Sequence, residues 1–412
     1  MTLRICPIII LDLLQGNNDK MMFNLVKTVN TTPLEIFSKI LITSILLFNA
    51  SFVMADNRPI PPVLNAQSYL LVDNISGVEL ASKNPGKRTE PASITKLMTA
   101  YILYGELKKG NATLEDRVLI SEKAWKMEGS RMFVEGGKKV PFERLLHGLI
   151  IQSGNDAAVA LAEHVAGSES AFVDKMNAAA AKLGMNDTHY ANASGMPDPQ
   201  HYTTARDIVK LARALIKNYP QFYKLYKIKN YTYNGIKQYN RNKLLWRDKT
   251  VDGMKTGHTA SAGYCLVASA ERNNMRLISV MLGASSDKTR ADYSQQLLEY
   301  GFRFFETHKL YASNSVLAEA KVWKGVSDKV PAGTIDGLYV TIQKGHYDKL
   351  KGMMELYKDI DAPIQRGDPL GKAIIKDGDI IVAELPLVAL SPVDAGGLWT
   401  SVIDSIKKLF SN

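Results

Sequence analysis

Two strand-like stretches that lie far apart in the chain limit its fold more than any other feature. "SYLLVDNISGVELASKN" reads as two strands around a turn containing Asn74 and Gly77, and "GYCLVASAERNNMRLISVMLGA" as a hairpin turning at Arg272 to Asn274. Between them run helical patterns, among them "PFERLLHGLIIQ", "NDAAVALAEHVAG" and "TTARDIVKLARALIKN". Strands from both ends of a helical middle require a sheet closed by distant segments, so residues 56–309 are expected to form one α/β domain. From 310 to 391 the texture changes to short apolar runs punctuated by Gly, Pro and Asp, which predicts a small β-rich domain.

The two ends say where such a chain works. Lys39 precedes an apolar run from Ile40 to Phe48, followed by small residues up to Ala55, the layout of a secretory signal peptide cleaved after Ala55. The run is shorter than the ~20 residues a spanning helix needs. Residues 1–55 are therefore read as an N-terminal extension and signal peptide, with Met21 or Met22 as the expected start of translation. Cleavage would remove Cys6 and leave Cys265 alone, in a run that reads as a buried strand, so no internal disulfide is expected. Residues 392–412 read as a linker and an amphipathic helix. Leu398, Trp399, Val402, Ile403, Ile406, Leu409 and Phe410 recur at helical spacing, opposite Ser401, Asp404, Lys407 and Lys408. Such a helix is too short to cross a bilayer but suits its interface, and a helix docked on the protein's own core is the competing reading. The formal charge of +10 would suit an anionic partner, although no long basic block is present. Export and the lack of a recognised binding module argue against nucleic acid.

The chemistry starts from "EPASITKLMTAY". Ser93 and Lys96 are one helical turn apart, at the mouth of a helix whose following turns look buried. Ser-x-x-Lys alone means little, because Ser285 with Lys288 and Ser405 with Lys408 match it equally well. Ser93 differs in its company. "QSGNDA" supplies Ser153, Gly154 and Asn155 at the head of a helix, and "MKTGHT" supplies Lys255, Thr256 and Gly257 where a strand begins. Three short motifs in this order are far more specific than one. A serine hydroxyl needs a base, and a lysine serves only when neutral. Lowering its pKa from ~10.4 towards 7 costs ~4 to 5 kcal/mol. A second cation at ~4 Å would contribute about 4 kcal/mol at an effective dielectric of 20, and burial adds to that.

On these motifs, with "YTTARD", "NRNKLLW" and "GFRFFET", the chain resembles the serine penicillin-recognising enzymes, and within them the low-molecular-mass D-alanyl-D-alanine carboxypeptidases of the penicillin-binding protein 5 and 6 group. The resemblance implies a β-lactamase/transpeptidase-like α/β domain (an antiparallel sheet with helices plus a helical lobe), then the small all-β domain and the amphipathic helix. It implies a serine-type hydrolase that removes the terminal D-alanine from peptidoglycan pentapeptide stems, is acylated by β-lactams, and serves peptidoglycan maturation and cell shape from the periplasmic face of the inner membrane. In that scheme Ser93 is the nucleophile, Lys96 the base, and Ser153, bonded between Lys96 and Lys255, relays the proton to the leaving D-alanine. Asn155 holds the substrate amide, the backbone N–H groups of Ser93 and His258 receive the oxyanion, and Thr256, Lys255 and Arg290 meet the terminal carboxylate, beside Gly257. No cofactor is implied. The remaining histidines show no metal spacing.

Three rival readings are set beside this one. A serine β-lactamase shares the motifs, but the Glu-x-x-Leu-Asn segment of its commonest class is missing from this chain. Endopeptidase or transpeptidase action on crosslinks uses the same acyl-enzyme. A non-catalytic peptidoglycan-binding envelope protein has no use for the full set of Ser, Lys, Ser, Asn, Lys and Thr. Homodimerisation and envelope protein partners stay open.

Overall fold

The structure is a computed structural model and describes residues 59–409, so the signal-peptide and start-site expectations lie outside the described residues. Its centre is a five-stranded antiparallel sheet of β1 (Ser68–Asp73), β2 (Glu79–Lys83), β3 (Val251–Thr259), β4 (Gly263–Arg272) and β5 (Met275–Ala284), in the order β2-β1-β5-β4-β3. The sheet is closed by distant segments, with β1 from the start of the domain pairing Leu70 with Val280 of β5. The β4–β5 turn falls on Asn273 and Asn274, both left-handed at φ 49° and 63°, which is the geometry a two-residue hairpin needs.

Both faces of the sheet are covered, which is why its strands read as nearly continuous apolar runs. Leu70, Val72, Val267, Ile278 and Val280 point into a helical lobe, while Leu71, Leu266, Ala268, Leu277 and Met281 face the other way. On that second side lies the long helix Asp287–Phe304, started by Ser286 Oγ accepting from the Thr289 N–H at 3.0 Å. The lobe contains α1 (Lys96–Lys109), α2 (Asn155–Ala166), α3 (Glu169–Lys182) and α4 (Ala205–Asn218). Helix α1 is apolar almost all round because it is the buried axle of the lobe, with Leu97, Met98, Ala100, Leu103 and Tyr104 fully enclosed.

The β-rich region contains a five-stranded sheet (316–321, 329–333, 380–389, 369–377, 350–356 in spatial order) and a separate pair, Phe305–Tyr311 with Leu338–Gln343. Pairing therefore begins at Phe305, where the long helix ends, rather than at the expected 310, because Phe305 turns extended and takes Gln343 as its partner. Thr307 Oγ1 donates to Asp73 Oδ2 at 2.9 Å, tying this pair to the β1 turn.

The C-terminal linker also differs from expectation. It is a fastened strip, with Val393 and Ile364 exchanging backbone hydrogen bonds at 2.8 and 2.9 Å and the Gly396 N–H donating to Lys324 O at 2.7 Å. The helix Leu398–Leu409 follows. Its polar side faces the protein, where Asp404 Oδ2 accepts from the Lys324 N–H at 2.8 Å and Lys408 Nζ reaches Asp359 and Asp361 at 3.1 and 3.0 Å. Its apolar side points outward, leaving Leu398 88% and Trp399 82% exposed. The helix is docked, but the other way round from the core-docking reading. No helix among the described residues is long and apolar enough to cross a membrane.

Candidate active site

Ser93 sits in a tight 3₁₀ turn, Ala92–Thr95, that runs straight into α1, so Lys96 is the first residue of the buried helix. Ala92 is left-handed at φ 47°, a sharp elbow that pushes Ser93 out of the helix line. Beside it runs β3, the edge strand of the sheet, with Lys255 and Gly257 on one face. A Cβ at Gly257 would lie 3.0 Å from Pro91 O and 3.1 Å from Ser93 N, so only glycine lets the strand come this close to the nucleophile turn. Ser153 enters from a third side. It ends the π-helical turn Gly148–Gln152 with a left-handed backbone, φ 68° and ψ 34°, before Gly154 leads into α2. Together with Ser130, Asn240, Arg241, Lys243, Thr256, His258 and Tyr264, these elements line a cleft of about 360 Å³.

Lys96 is completely buried, with three oxygens around its Nζ: Ser93 Oγ at 2.9 Å, Asn155 Oδ1 at 2.6 Å and the Ser194 carbonyl at 2.5 Å. Asn155 is held in that orientation because its Nδ2 donates to Glu128 O at 2.6 Å. Burial, and then the charge of Arg241, pull the Lys96 ammonium down to about 7, against the restoring pull of Asp156. A neutral amine has two hydrogens and one lone pair. Asn155 Oδ1 and the Ser194 carbonyl can only accept, so the lone pair must meet the one partner with a hydrogen to give, the Ser93 hydroxyl. Loss of a proton from Lys96 therefore aims a base at Ser93.

Lys255 lies in the same enclosure, also buried, with the carbonyl of Thr256 accepting from its Nζ at 3.1 Å. Burial, then Lys96, Arg241 and Arg290, hold it well below the ordinary lysine value. Both lysines of the cleft are therefore depressed, with burial the first cause in each. A carboxylate arriving beside Lys255 would favour its charged form by ~4 kcal/mol at ~4 Å and an effective dielectric of 20.

Three expected contacts turn out differently. Ser153 lines the cleft, but its buried Oγ makes no hydrogen bond, rather than bridging the lysines, and the Lys96 amine is already surrounded by Ser93, Asn155 and Ser194. Asn155 is engaged on both sides of its amide, so it orients Lys96 instead of standing free for a substrate amide. Arg290 is buried, and its Nη1 donates to the carbonyls of Gly257 at 3.0 Å and Cys265 at 3.4 Å while Nη2 is held by Asp287. It braces the strand, since a guanidinium withdrawn from water must satisfy its donors on the protein. Thr256 and His258 line the cleft, and the His258 ring lies tilted at 36° against Tyr264 with centroids 4.0 Å apart. The rival motifs are also explained: Lys288 pairs with Asp292 at 2.6 Å, and Ser405 Oγ donates to Ser401 O at 2.7 Å. Cys265 is buried and its thiol is pushed up to about 11, which suits core and not chemistry.

Four contributors escaped the sequence reading. Arg241 lines the cleft without an ion pair or hydrogen bond among the described residues, whereas Arg290, which also lines it, is engaged by Asp287 and two backbone carbonyls. Its only signal was its place in "NRNKLLW". Asp156 collects the N–H groups of Met132, Phe133 and Val134 at 3.0, 2.9 and 3.3 Å and so shapes the loop carrying Ser130. Ser194 contributes a backbone carbonyl, which no sequence pattern reveals. His201 accepts from the Ala191 N–H at 3.3 Å, leaving its other nitrogen to donate to Thr95 Oγ1 at 2.8 Å, and Thr95 donates to Ala92 O at 2.7 Å. Burial drives the imidazole down to about 4, so a neutral His201 holds the elbow under Ser93.

Residues 55–286 match the D-alanyl-D-alanine carboxypeptidase family of peptidase S11, and residues 305–395 match the C-terminal domain of penicillin-binding protein 5. The chain is 41% identical to the D-alanyl-D-alanine carboxypeptidase DacA of Haemophilus influenzae over 362 residues, 85% of this chain and 92% of that protein. The crystal structure of penicillin-binding protein 5 from the same organism superposes with a TM-score of 0.79 at 40% identity, covering 82% of this chain and 99% of that one. Penicillin-binding protein D2 of Listeria monocytogenes, solved with ampicillin bound, matches at a TM-score of 0.55 and 27% identity, over 59% of this chain and all of that one.

Proposed function

The chain belongs to the peptidase S11 family and is a serine-type D-alanyl-D-alanine carboxypeptidase of the penicillin-binding protein 5 kind, and from that premise we propose how its own residues perform the reaction. Its substrates are peptidoglycan pentapeptide stems, and its place is the cell envelope. Ser93 Oγ attacks the carbonyl between the last two D-alanines as its proton passes to Lys96 Nζ, 2.9 Å away. The oxyanion is received by backbone N–H groups at Ser93 and His258, on the turn and the edge strand that Gly257 lets approach each other. The terminal carboxylate sits against Thr256, Lys255 and Arg241, and its charge favours the ammonium form of Lys255. The Lys96 ammonium then returns that proton to the departing D-alanine nitrogen by way of the cleft-lining Ser153 hydroxyl, which must first turn to accept from it. Water then attacks the acyl-enzyme with Lys96 again as base, and β-lactams acylate the same oxygen.

The observation that carries this reading is the set of three oxygens around Lys96, of which two can only accept and the Ser93 hydroxyl alone, among the described partners, has a proton to give a neutral amine. The test is release of free D-alanine from a pentapeptide ending in D-Ala-D-Ala, with Ser93→Ala as control and labelling by a fluorescent penicillin in parallel. Label on Ser93→Ala, or no D-alanine from the wild type, would refute it. The chain is exported through its N-terminal segment and rests on the outer face of the cytoplasmic membrane through the helix Leu398–Leu409. That reading is supported by the outward apolar side of the helix, with Val402, Ile403 and Ile406 about half exposed and its polar side occupied by the protein.

A further inference from the structure

The tyrosine- and lysine-rich stretch that follows α4 has no part in the mechanism. Tyr219, Tyr223 and Tyr226 go into the core. The rest forms a hairpin, Asn230–Tyr233 with Ile236–Tyr239, turning on the left-handed pair Asn234 and Gly235 at φ 46° and 74°. Its return strand is fastened to the Ser130 loop by Gln238 Nε2 donating to Arg131 O at 2.9 Å, and it leads directly into the cleft residues Asn240 and Arg241. Around this junction three large rings are turned to solvent: Phe133 at 45% exposure, Trp246 at 47% and Tyr239 at 57%. Each has a cation over it, Arg131 over Phe133 at 5.3 Å, Lys229 over Trp246 at 5.8 Å and Lys237 over Tyr239 at 5.6 Å. None of these cations has a carboxylate partner among the described residues. Each ring is within three residues of a cleft-lining one, Ser130, Lys243 and Asn240.

Phe133 is the clearest of the three. A bulky side chain rarely adopts φ 66°, yet its N–H is pinned there by Asp156 at 2.9 Å, and the ring it holds out is not used by the core. Exposed rings held rigidly beside unpaired cations match a ligand with flat apolar faces and negative charge. The glycan–peptide polymer has both, in its pyranose rings and in the free carboxylates of its stems, and a chain of net charge +10 favours such an anion.

We propose that this rim binds the peptidoglycan polymer next to the stem being cleaved, the rings receiving sugar faces and Arg131, Lys229 and Lys237 receiving carboxylates. The proposal rests on the carboxypeptidase reading above. Its test uses full-length protein carrying Ser93→Ala, so that the polymer stays intact, sedimented with detergent-boiled, protein-free sacculi. Two double variants are compared in that background, Phe133→Ser with Tyr239→Ser and Arg131→Gln with Lys237→Gln. Each should raise the apparent Kd for sacculi about tenfold. The charge variant should also lose the fall in binding that the parent shows as NaCl rises from about 50 to about 300 mM. With Ser93 restored, hydrolysis of a soluble pentapeptide and labelling by fluorescent penicillin should stay within about twofold of wild type. Unchanged sacculus binding overturns the proposal. So does a parallel loss of soluble-peptide hydrolysis, which would assign the rim to the reaction pocket or the fold, and so does capture by anionic lipid vesicles in place of sacculi. Failure of the carboxypeptidase reading shows separately, as wild type that releases no D-alanine from the soluble peptide.

Discussion

If Lys96 is the base, the rate of Ser93 acylation must follow its titration. The perturbation is pH, and the magnitude follows from burial. A lysine at its ordinary value is only about 0.04% neutral at pH 7. Held at about 7, Lys96 is half neutral there. Its neutral fraction is then about 3% at pH 5.5 and about 97% at pH 8.5, a roughly thirtyfold rise followed by a plateau. The shift from 10.5 to about 7 corresponds to roughly 5 kcal/mol, supplied mainly by withdrawing the amine from water, with Arg241 adding to it. The assay is the second-order rate of labelling by a fluorescent penicillin between pH 5 and 10, where the inhibitor stays ionised throughout and Ser93→Ala gives the blank. Lys96→Arg, which cannot lose its proton, should reduce labelling by at least about a thousandfold. A rate that climbs tenfold per pH unit up to 10 would mean that Lys96 is not depressed. A rate flat from 5 to 9 would mean that it is not the base.

Three other outcomes follow from the same geometry. Gly257→Ala puts a methyl 3.1 Å from Ser93 N, and the resulting displacement of the nucleophile turn should cost about 10² in labelling rate with little change in Tm. His201→Phe removes the donor to Thr95 and should lower kcat about tenfold with KM unchanged, while His201→Gln, which keeps an N–H, should recover part of it. Because the folded imidazole titrates at about 4 and the unfolded one near 6.5, only the unfolded chain takes up this proton between those values. Stability therefore falls as pH drops from 6.5 to 4, by up to ~1.4 kcal/mol per unit. His201→Gln should flatten that fall in urea titrations. Finally, Val402→Asp with Ile406→Asp should release the protein from lipid vesicles at least about tenfold while leaving soluble-peptide hydrolysis intact, because each exposed apolar side chain contributes ~1.5 to 3 kcal/mol when buried. Undiminished vesicle binding would remove this helix from the contact with lipid.

Much of the fold was legible because its signals are local. The β4–β5 turn at Asn273 and Asn274 and the periodicity of α2 and α4 depend on residues near one another in sequence. The contact between Ser93 and Lys96 was equally legible, since the two are one helical turn apart and each companion motif lies on a single element. Roles that depend on direction were not. Arg290 and Arg241 both line the cleft, and only packing engages the first with the Gly257 carbonyl and Asp287 while leaving the second without a partner among the described residues. The last helix shows an apolar stripe in either docking mode. The contacts of Asp404 with the Lys324 N–H and of Lys408 with Asp361 decide which way the stripe points. His201 and the Ser194 carbonyl reach the nucleophile turn across about a hundred residues of chain. By itself, then, the sequence determined the chemistry, because residue type and short spacing set which groups can react. The tertiary structure alone decided which lysine is caged, which arginine of the cleft is left unpartnered among the described residues and which face looks outward, because burial and long-range contact set where a charge can survive.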